Sequence, residues 1–246
     1  MTVAPDAAMS FLVYGKAKQG KSTLALSTPT PRLILDTESA ARFLKTKKVY
    51  WDPTTEEPPE DDGTWETCVV VVDNYRKAQK AYDYLKAGMH PFNSVVLDSI
   101  SELQDKVKGE TTNRAQPKIQ EWGTIGSKMA YLAADLRDLT TNTNKIVKSV
   151  LVVATAADPY YNEDGSIKDK GRPAAQGSFK QKLSYFFDVV GFAYLAEVPD
   201  ENGEVTTIQV LQVGSSDKYE VGSRAPLPNQ IPEPNIDEII DEVFSE

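Results

Sequence analysis

The stretch that most limits what this chain can become is GKAKQGKST, Gly15 to Thr23. Gly15, Gly20, Lys21 and Ser22 fill the fixed positions of the pattern G-x-x-x-x-G-K-[ST]. With average residue usage, a chain of this length meets that pattern by chance about one time in a hundred. The pattern has structural meaning where a strand leads into it and a helix leaves it, and here FLVY precedes it and STLALS follows. Glycines let the backbone wrap closely around phosphate groups, and successive N–H groups together with the positive end of the next helix hold the negative charge. The run Gly15, Lys16, Ala17, Lys18, Gln19, Gly20, Lys21, Ser22, Thr23 therefore reads as nucleotide-binding. Lys21 would reach the β- and γ-phosphates of ATP, and Ser22 would ligate Mg²⁺. Lys16 and Lys18 are unusual inside such a loop; they either face solvent or touch nucleotide or nucleic acid.

The rest of the chain alternates short apolar runs with helical patterns. Phe11–Gly15, Arg32–Asp36, Cys68–Asp73, Ser94–Asp98 and Ser149–Thr155 read as strands. Ser22–Ser27, Glu38–Leu44, Asn74–Ala87 and Ile119–Leu139 read as helices, the second before an end at Leu44 and the third before a stop at Gly88. Asp188–Ala196 and Val205–Val213 read as an antiparallel pair joined by turn chemistry at Asp200–Gly203. The expected fold class is α/β: a mainly parallel sheet flanked by helices, closing in a C-terminal antiparallel hairpin. Residues 1–225 are expected to form this domain. Residues 226–246 read as a proline-rich connector and an acidic C-terminal tail.

Composition bounds the function. The chain has 246 residues, 40 % apolar and 26 % charged, with a net charge of −9. A strongly acidic chain does not look like a bulk nucleic-acid binder. The bases are clustered, however, in Arg42–Lys48 and Lys168–Lys182, and the acids in Glu56–Asp62 and the last ten residues. The longest apolar run, Val69–Val72, is too short to span a bilayer. The sole cysteine, Cys68, rules out an intramolecular disulfide and a cysteine-built zinc site. The N-terminus lacks a secretory pattern, so a cytoplasmic protein is expected. His90, in GMHPF, reads as a turn residue, Trp51, Trp65 and Trp122 as packing residues, and Tyr131 as core.

Two acids are needed beside a phosphate loop: one to hold the metal, one to orient or activate water. Asp98, ending the strand in SVVLDSISEL, is the metal candidate. Glu38, in LILDTESAARF, is preferred as the catalytic carboxylate over Glu102, which falls on a helix and points away.

The order of these motifs resembles the RecA-like ATPases. More closely, HPFNSVVLDSISEL, QEWGTIGSKM, SVLVVAT and GRPAAQGSFKQKLSYFFDVVGFAYLA resemble the phage RecA-like P-loop ATPases of the Sak-four single-strand-annealing group, over roughly Ser10 to Pro234. The resemblance implies a RecA-like core that hydrolyses ATP with Mg²⁺, with Lys21 and Ser22 on nucleotide and metal, Asp98 as metal acid, Glu38 as catalytic carboxylate and Thr155 as a polar sensor. The chain departs from relatives by reading Thr155-Ala156-Ala157-Asp158 where they often carry a histidine. That departure puts γ-phosphate sensing at this strand in doubt.

The same resemblance implies single-stranded DNA as a partner, a homo-oligomer in ring or filament form, a phage single-strand-binding protein as a possible associate, no membrane, and the host cytoplasm. Lys168, Lys170, Arg172, Lys180 and Lys182 read as a mobile loop supplying both contacts to the DNA backbone and a base acting in a neighbour's site, with a plain solvated loop as the alternative. Arg114 and Lys118, in the polar loop Lys108–Lys118, are a second such group. Tyr160 and Tyr161 are placed to stack on bases, with core packing open for one of them. Competing readings are a non-recombinase scaffold or loader in phage replication and a P-loop phosphotransferase, although the chain has few arginines and no evident lid. A nuclease finds no further cluster of acids.

Overall fold

The apolar runs are short because each crosses a sheet once, covered on both faces. A computed structural model describes residues 7–142, 144, 146–199 and 204–245. In chain order the elements are β1 (Met9–Gly15), α1 (Lys21–Leu24), β2 (Arg32–Asp36), β3 (Lys48–Tyr50), β4 (Thr67–Val71), α2 (Tyr75–Ala87), β5 (Ser94–Asp98), α3 (Ile100–Thr112), α4 (Ile119–Asp138) and β6 (Ser149–Ala157). There follow β7 (Tyr160–Tyr161), β8 (Ile167–Asp169), β9 (Arg172–Pro173), β10 (Val189–Pro199), β11 (Val205–Gln212), β12 (Gly222–Ser223), β13 (Gln230–Pro232) and α5 (Ile236–Phe244).

The main sheet runs β13-β11-β10-β1-β6-β5-β2-β4-β3. From β10 to β3 all neighbours are parallel; β11 and β13 join antiparallel. This is the expected mainly parallel sheet with a C-terminal antiparallel hairpin. Side chains alternate between faces along each strand. Leu12 and Tyr14 of β1 join a core under α2, α3 and α4, whereas Phe11 and Val13 join a core under α1 and α5. Among the described residues no helix is long and apolar enough to cross a membrane.

What matters for function is register. The chain leaves β1, passes over two strand positions and enters β2; β5 and β6 later fill the gap. Gly15 thus lies opposite Thr155, Asp98 opposite Val153, and Asp36 opposite Asp98. The carboxyl ends of four strands meet in one row, where ligands bind in open α/β sheets.

Several local expectations are corrected. The helix after the phosphate loop has only Lys21–Leu24 in α form and closes as a 3₁₀ turn, Ala25–Ser27. Pro29 and Pro31 follow at once and bar its continuation. The helix expected over Glu38–Leu44 is a single 3₁₀ turn, Ala41–Phe43. Lys108–Thr112 belongs to α3, so the polar loop shrinks to 113–118. The run Lys168–Lys182 is not an unstructured loop. β8 pairs with β7, β9 with β6, and buried Phe179 pins the following 3₁₀ turn against the helical core. Tyr131 is 70 % exposed rather than core, and Tyr160 and Tyr161 both face out. The turn expected at Asp200–Gly203 lies outside the described residues.

The segment read as a connector and tail packs on the domain. β13 extends the sheet, and Ile236, Ile239 and Ile240 of α5 are buried against the core that holds Leu24. The Ile236 N–H donates to Ser27 Oγ at 2.9 Å, tying α5 to the end of the phosphate-loop helix.

His90 sits in the turn before β5. Its Nδ1 accepts from the Phe92 N–H at 3.0 Å, and its ring stacks on Phe92. Burial pushes the imidazole down to about 4, against about 6.5 in an unfolded chain. The unfolded chain therefore takes up the proton first, and stability falls as pH drops from about 6.5 towards 4. Allowing for partial exposure, the loss at pH 5 should be roughly 1–2 kcal/mol. Urea titrations at pH 7 and pH 5 should show His90→Gln losing less stability than the parent by that amount; equal losses would refute it.

Candidate nucleotide site

The phosphate loop takes its shape from two close approaches. A side chain at Gly15 would collide with the Ala193 carbonyl of β10. Gly20 has φ 77° and passes so near Gln209 that a Cβ would lie 2.7 Å from its Nε2. Only glycine meets both demands. The loop borders a cavity of about 510 Å³ that also takes in Glu38, Asp98, Ser99 and Thr155.

Lys21 is half-buried, and its Nζ donates to the carbonyls of Gly15 at 2.9 Å and Lys16 at 2.6 Å. Burial draws the ammonium's pKa down, while Asp98 and Glu38 act to raise it. Ser22 Oγ donates to Asp98 Oδ2 at 2.6 Å. Burial raises the Asp98 carboxyl above its ordinary range against the Ser22 hydrogen bond, and Glu38 and Asp36 add to the rise. Among the described residues no three His, Cys, Asp or Glu side chains form a metal cluster. The adjoining oxygens of Ser22 and Asp98 nonetheless fit Mg²⁺, which favours one or two protein oxygens with phosphates and water for the rest.

Glu38 is exposed to the cavity, and its Oε1 accepts from Ser99 Oγ at 2.8 Å. Its position is built by neighbours that sequence reasoning did not single out. Buried Asp36 accepts from the N–H groups of Glu38, Ala40 and Ala41 at 3.1, 3.1 and 2.9 Å. Ser39, within this turn, takes φ 57°, a left-handed conformation that a right-handed helix cannot contain. Thr37 Oγ1 accepts from the Ser99 N–H at 2.8 Å, and the Thr37 N–H donates to the Asp98 carbonyl at 2.8 Å. The two acid-bearing turns are thus stitched together. The available signal was the Asp-Thr pair ending β2, since such side chains commonly bond the backbone just ahead. Asp36→Ala leaves the buried Ala41 N–H and the part-buried N–H groups of Glu38 and Ala40 without this acceptor and should cost about 3 kcal/mol, a fall in Tm of roughly 6–12 °C in calorimetry.

The other predicted positions fall into separate groups. Thr155 lines the cavity and is exposed. Lys16 pairs with Asp158 at 3.0 Å. Lys168 stands 5.3 Å from the Tyr160 ring centroid, and Lys170 donates to the Ser216 carbonyl. Arg172, Lys180 and Lys182 line a groove of about 850 Å³ together with Arg224, which the sequence reading did not single out. This groove is larger than the cavity at the phosphate loop, but the acids and the lysine of phosphate chemistry are in the smaller one. Arg114 and Lys118 lie beyond the far end of α3, roughly 20 Å along the helix from Ser99, so the fold does not bring them to the nucleotide cavity.

A strand running into a glycine-bounded loop, a lysine at its turn, and a serine bonded to an acid two strands away define a P-loop nucleotide-binding protein. The chain belongs to the AAA-domain family, which matches residues 7–225. It is accordingly a P-loop ATPase. No curated protein matches it. One solved structure that it resembles is the crystal structure of the RadB recombinase, at 16 % identity, covering 86 % of this chain and 81 % of that one, with a TM-score of 0.43.

Proposed function

We propose that the protein is a RecA-like, Mg²⁺-dependent ATPase that binds single-stranded DNA, is stimulated by it, and promotes strand annealing or homologous recombination for a phage. One observation carries this reading. β6 leads from Thr155 at the nucleotide cavity directly into a hairpin whose Tyr160 and Tyr161 are exposed beside Lys168 and Lys170. Exposed aromatic faces flanked by cations suit an unpaired strand, because every base has a face to stack and every linkage a charge to neutralise. The acidic run Glu56–Asp62 lies in a separate loop between β3 and β4, while the hairpin's own acids are Asp158, paired with Lys16, and Glu163, Asp164 and Asp169.

In this reading Lys21 and the loop N–H groups hold the triphosphate, and Ser22 with Asp98 would hold Mg²⁺, which when bound would supply charge neutralisation of the phosphates. Glu38 takes the proton of the attacking water. A base from the Arg172–Lys182 run completes the site of a neighbouring copy, in a ring or filament, as an arginine finger does. A phage single-strand-binding protein is a natural associate on the same DNA, and the host cytoplasm the natural setting.

The test is ATP hydrolysis with and without an oligo-dT strand at low and moderate salt. Stimulation by the strand is expected. Hydrolysis indifferent to it, with no strand retained at low salt, would sink the reading. Binding should also weaken with salt, and Lys168→Ala with Lys170→Ala should shallow the log–log salt slope by about 0.7 for each phosphate no longer neutralised.

A further inference from the structure

The phosphate loop borders two cavities. Ala17, Lys18 and Gly20–Thr23 face the one that holds the acids. Lys16 and Gln19 face the other, about 270 Å³, walled by Phe192, Tyr194, Gln212 and Tyr219. The two share no residue. The second lies at the root of the β10–β11 arm, which continues past the level of Gly15.

Its walls are flat. Phe192 and Tyr219 stack with ring centroids 3.6 Å apart, and Phe192 and Tyr194 lie near-parallel at 6.1 Å. Cations flank it: Lys218 stands 5.5 Å from the Tyr219 centroid, and Lys170 reaches the neighbouring Ser216 carbonyl. The volume falls below the ~300 Å³ at which drug-sized ligands begin and suits a single planar heterocycle rather than a whole nucleotide. Gln19 and Gln212 each bring one further amide group to the lining, Gln19 its Nε2 beyond the Oε1 held by Leu195, and Gln212 its Oε1 beyond the Nε2 that donates to the Ser215 carbonyl, so a base edge can be met by one donor and one acceptor.

We propose that this cavity takes one base of a bound single strand, stacked on Tyr194, so that the DNA touches the loop that holds ATP. This rests on the reading of the protein as a single-strand binder. Gln19 makes the contact consequential. Its Oε1 accepts from the Leu195 N–H at 2.7 Å, and its carbonyl accepts from Gln209 Nε2 at 2.7 Å. It sits between Lys18 at φ 62° and Gly20 at φ 77°. A base against Gln19 bears on the most constrained turn of the phosphate loop, giving DNA a direct route to ATP turnover. The adenine of ATP is the competing occupant and an outcome of the test, since the phosphate loop borders both cavities.

The experiment uses the full chain, Mg²⁺, a non-hydrolysable ATP analogue and an oligo-dT strand carrying 5-iodouracil, irradiated and mapped by mass spectrometry. Crosslinks to Tyr194 or Tyr219 are expected. Tyr194→Leu should weaken strand binding roughly tenfold, the size of one base–aromatic stack, and Tyr194→Phe less than twofold, with both variants melting like the parent. A strand retained but crosslinked only to Tyr160 and Tyr161, with Tyr194→Leu binding within twofold of the parent, overturns the pocket and leaves DNA binding standing. No strand retained by the parent at low salt overturns both. Labelling of Tyr194 or Tyr219 by 8-azido-ATP assigns the cavity to adenine, and Tyr194→Leu dissociating an oligomer without any crosslink assigns it to a second copy; either result overturns the proposal.

Discussion

Lys21→Ala should lower the affinity for ATP by roughly 10²- to 10³-fold in titration calorimetry, with the fold intact by circular dichroism. Truncating one member of a desolvated charge pair costs about 2–5 kcal/mol, much of it from the charge left behind. The Lys21 side chain is half-buried and already directed across the loop, donating to the Gly15 and Lys16 carbonyls. Those donors need only be transferred to phosphate oxygens on binding. With alanine, the β- and γ-phosphates would meet Asp98 and Glu38 without the intervening cation. An affinity within threefold of the parent would mean that the triphosphate does not lie where the loop geometry puts it.

Glu38→Gln should leave ATP affinity within about twofold and reduce turnover by roughly 10²- to 10³-fold, in the range for loss of a general base. Glutamine preserves the shape, and its carbonyl oxygen can accept the Ser99 hydroxyl as Glu38 Oε1 does at 2.8 Å. Only the proton acceptor is removed. Single-turnover hydrolysis measured beside equilibrium binding separates the two quantities, and turnover within fivefold of the parent would remove Glu38 from the role. Glu102 is the natural control. It pairs with Lys106 on α3 and does not line the cavity, so Glu102→Gln should change neither quantity by more than about twofold.

Much of this site is legible one motif at a time. The loop declares itself by fixed spacing, and Asp98 by ending an apolar run. Glu38 follows a strand and falls at a carboxyl edge. What misleads is the local reading of what lies around them. Glu38–Leu44 has helical composition, yet Ser39 takes a left-handed φ of 57° while Asp36 holds the N–H groups of Glu38, Ala40 and Ala41, so the contacts of this turn and not propensity set its shape. Lys168–Lys182 carries the polar, glycine- and proline-containing composition of a mobile loop, yet two strand pairings and buried Phe179 fix it. The β7–β8 pairing is local, but the β6–β9 pairing and the packing of Phe179 on the helical core join separate segments, which hydrophobic period does not encode.

Consecutive residues suffice for the phosphate loop, the strand–helix alternation and both acids, because motif spacing and apolar period are local properties. The assembled sheet is what places β6 and β5 between β1 and β2, which sets Gly15, Thr155, Asp98 and Asp36 in one row. Only in that assembly do Gln209 and Leu195 meet Gln19, and Ile236 meet Ser27. Each of these contacts spans many residues and forms only when the sheet closes. Its energy therefore belongs to the packed core and not to any segment of the chain.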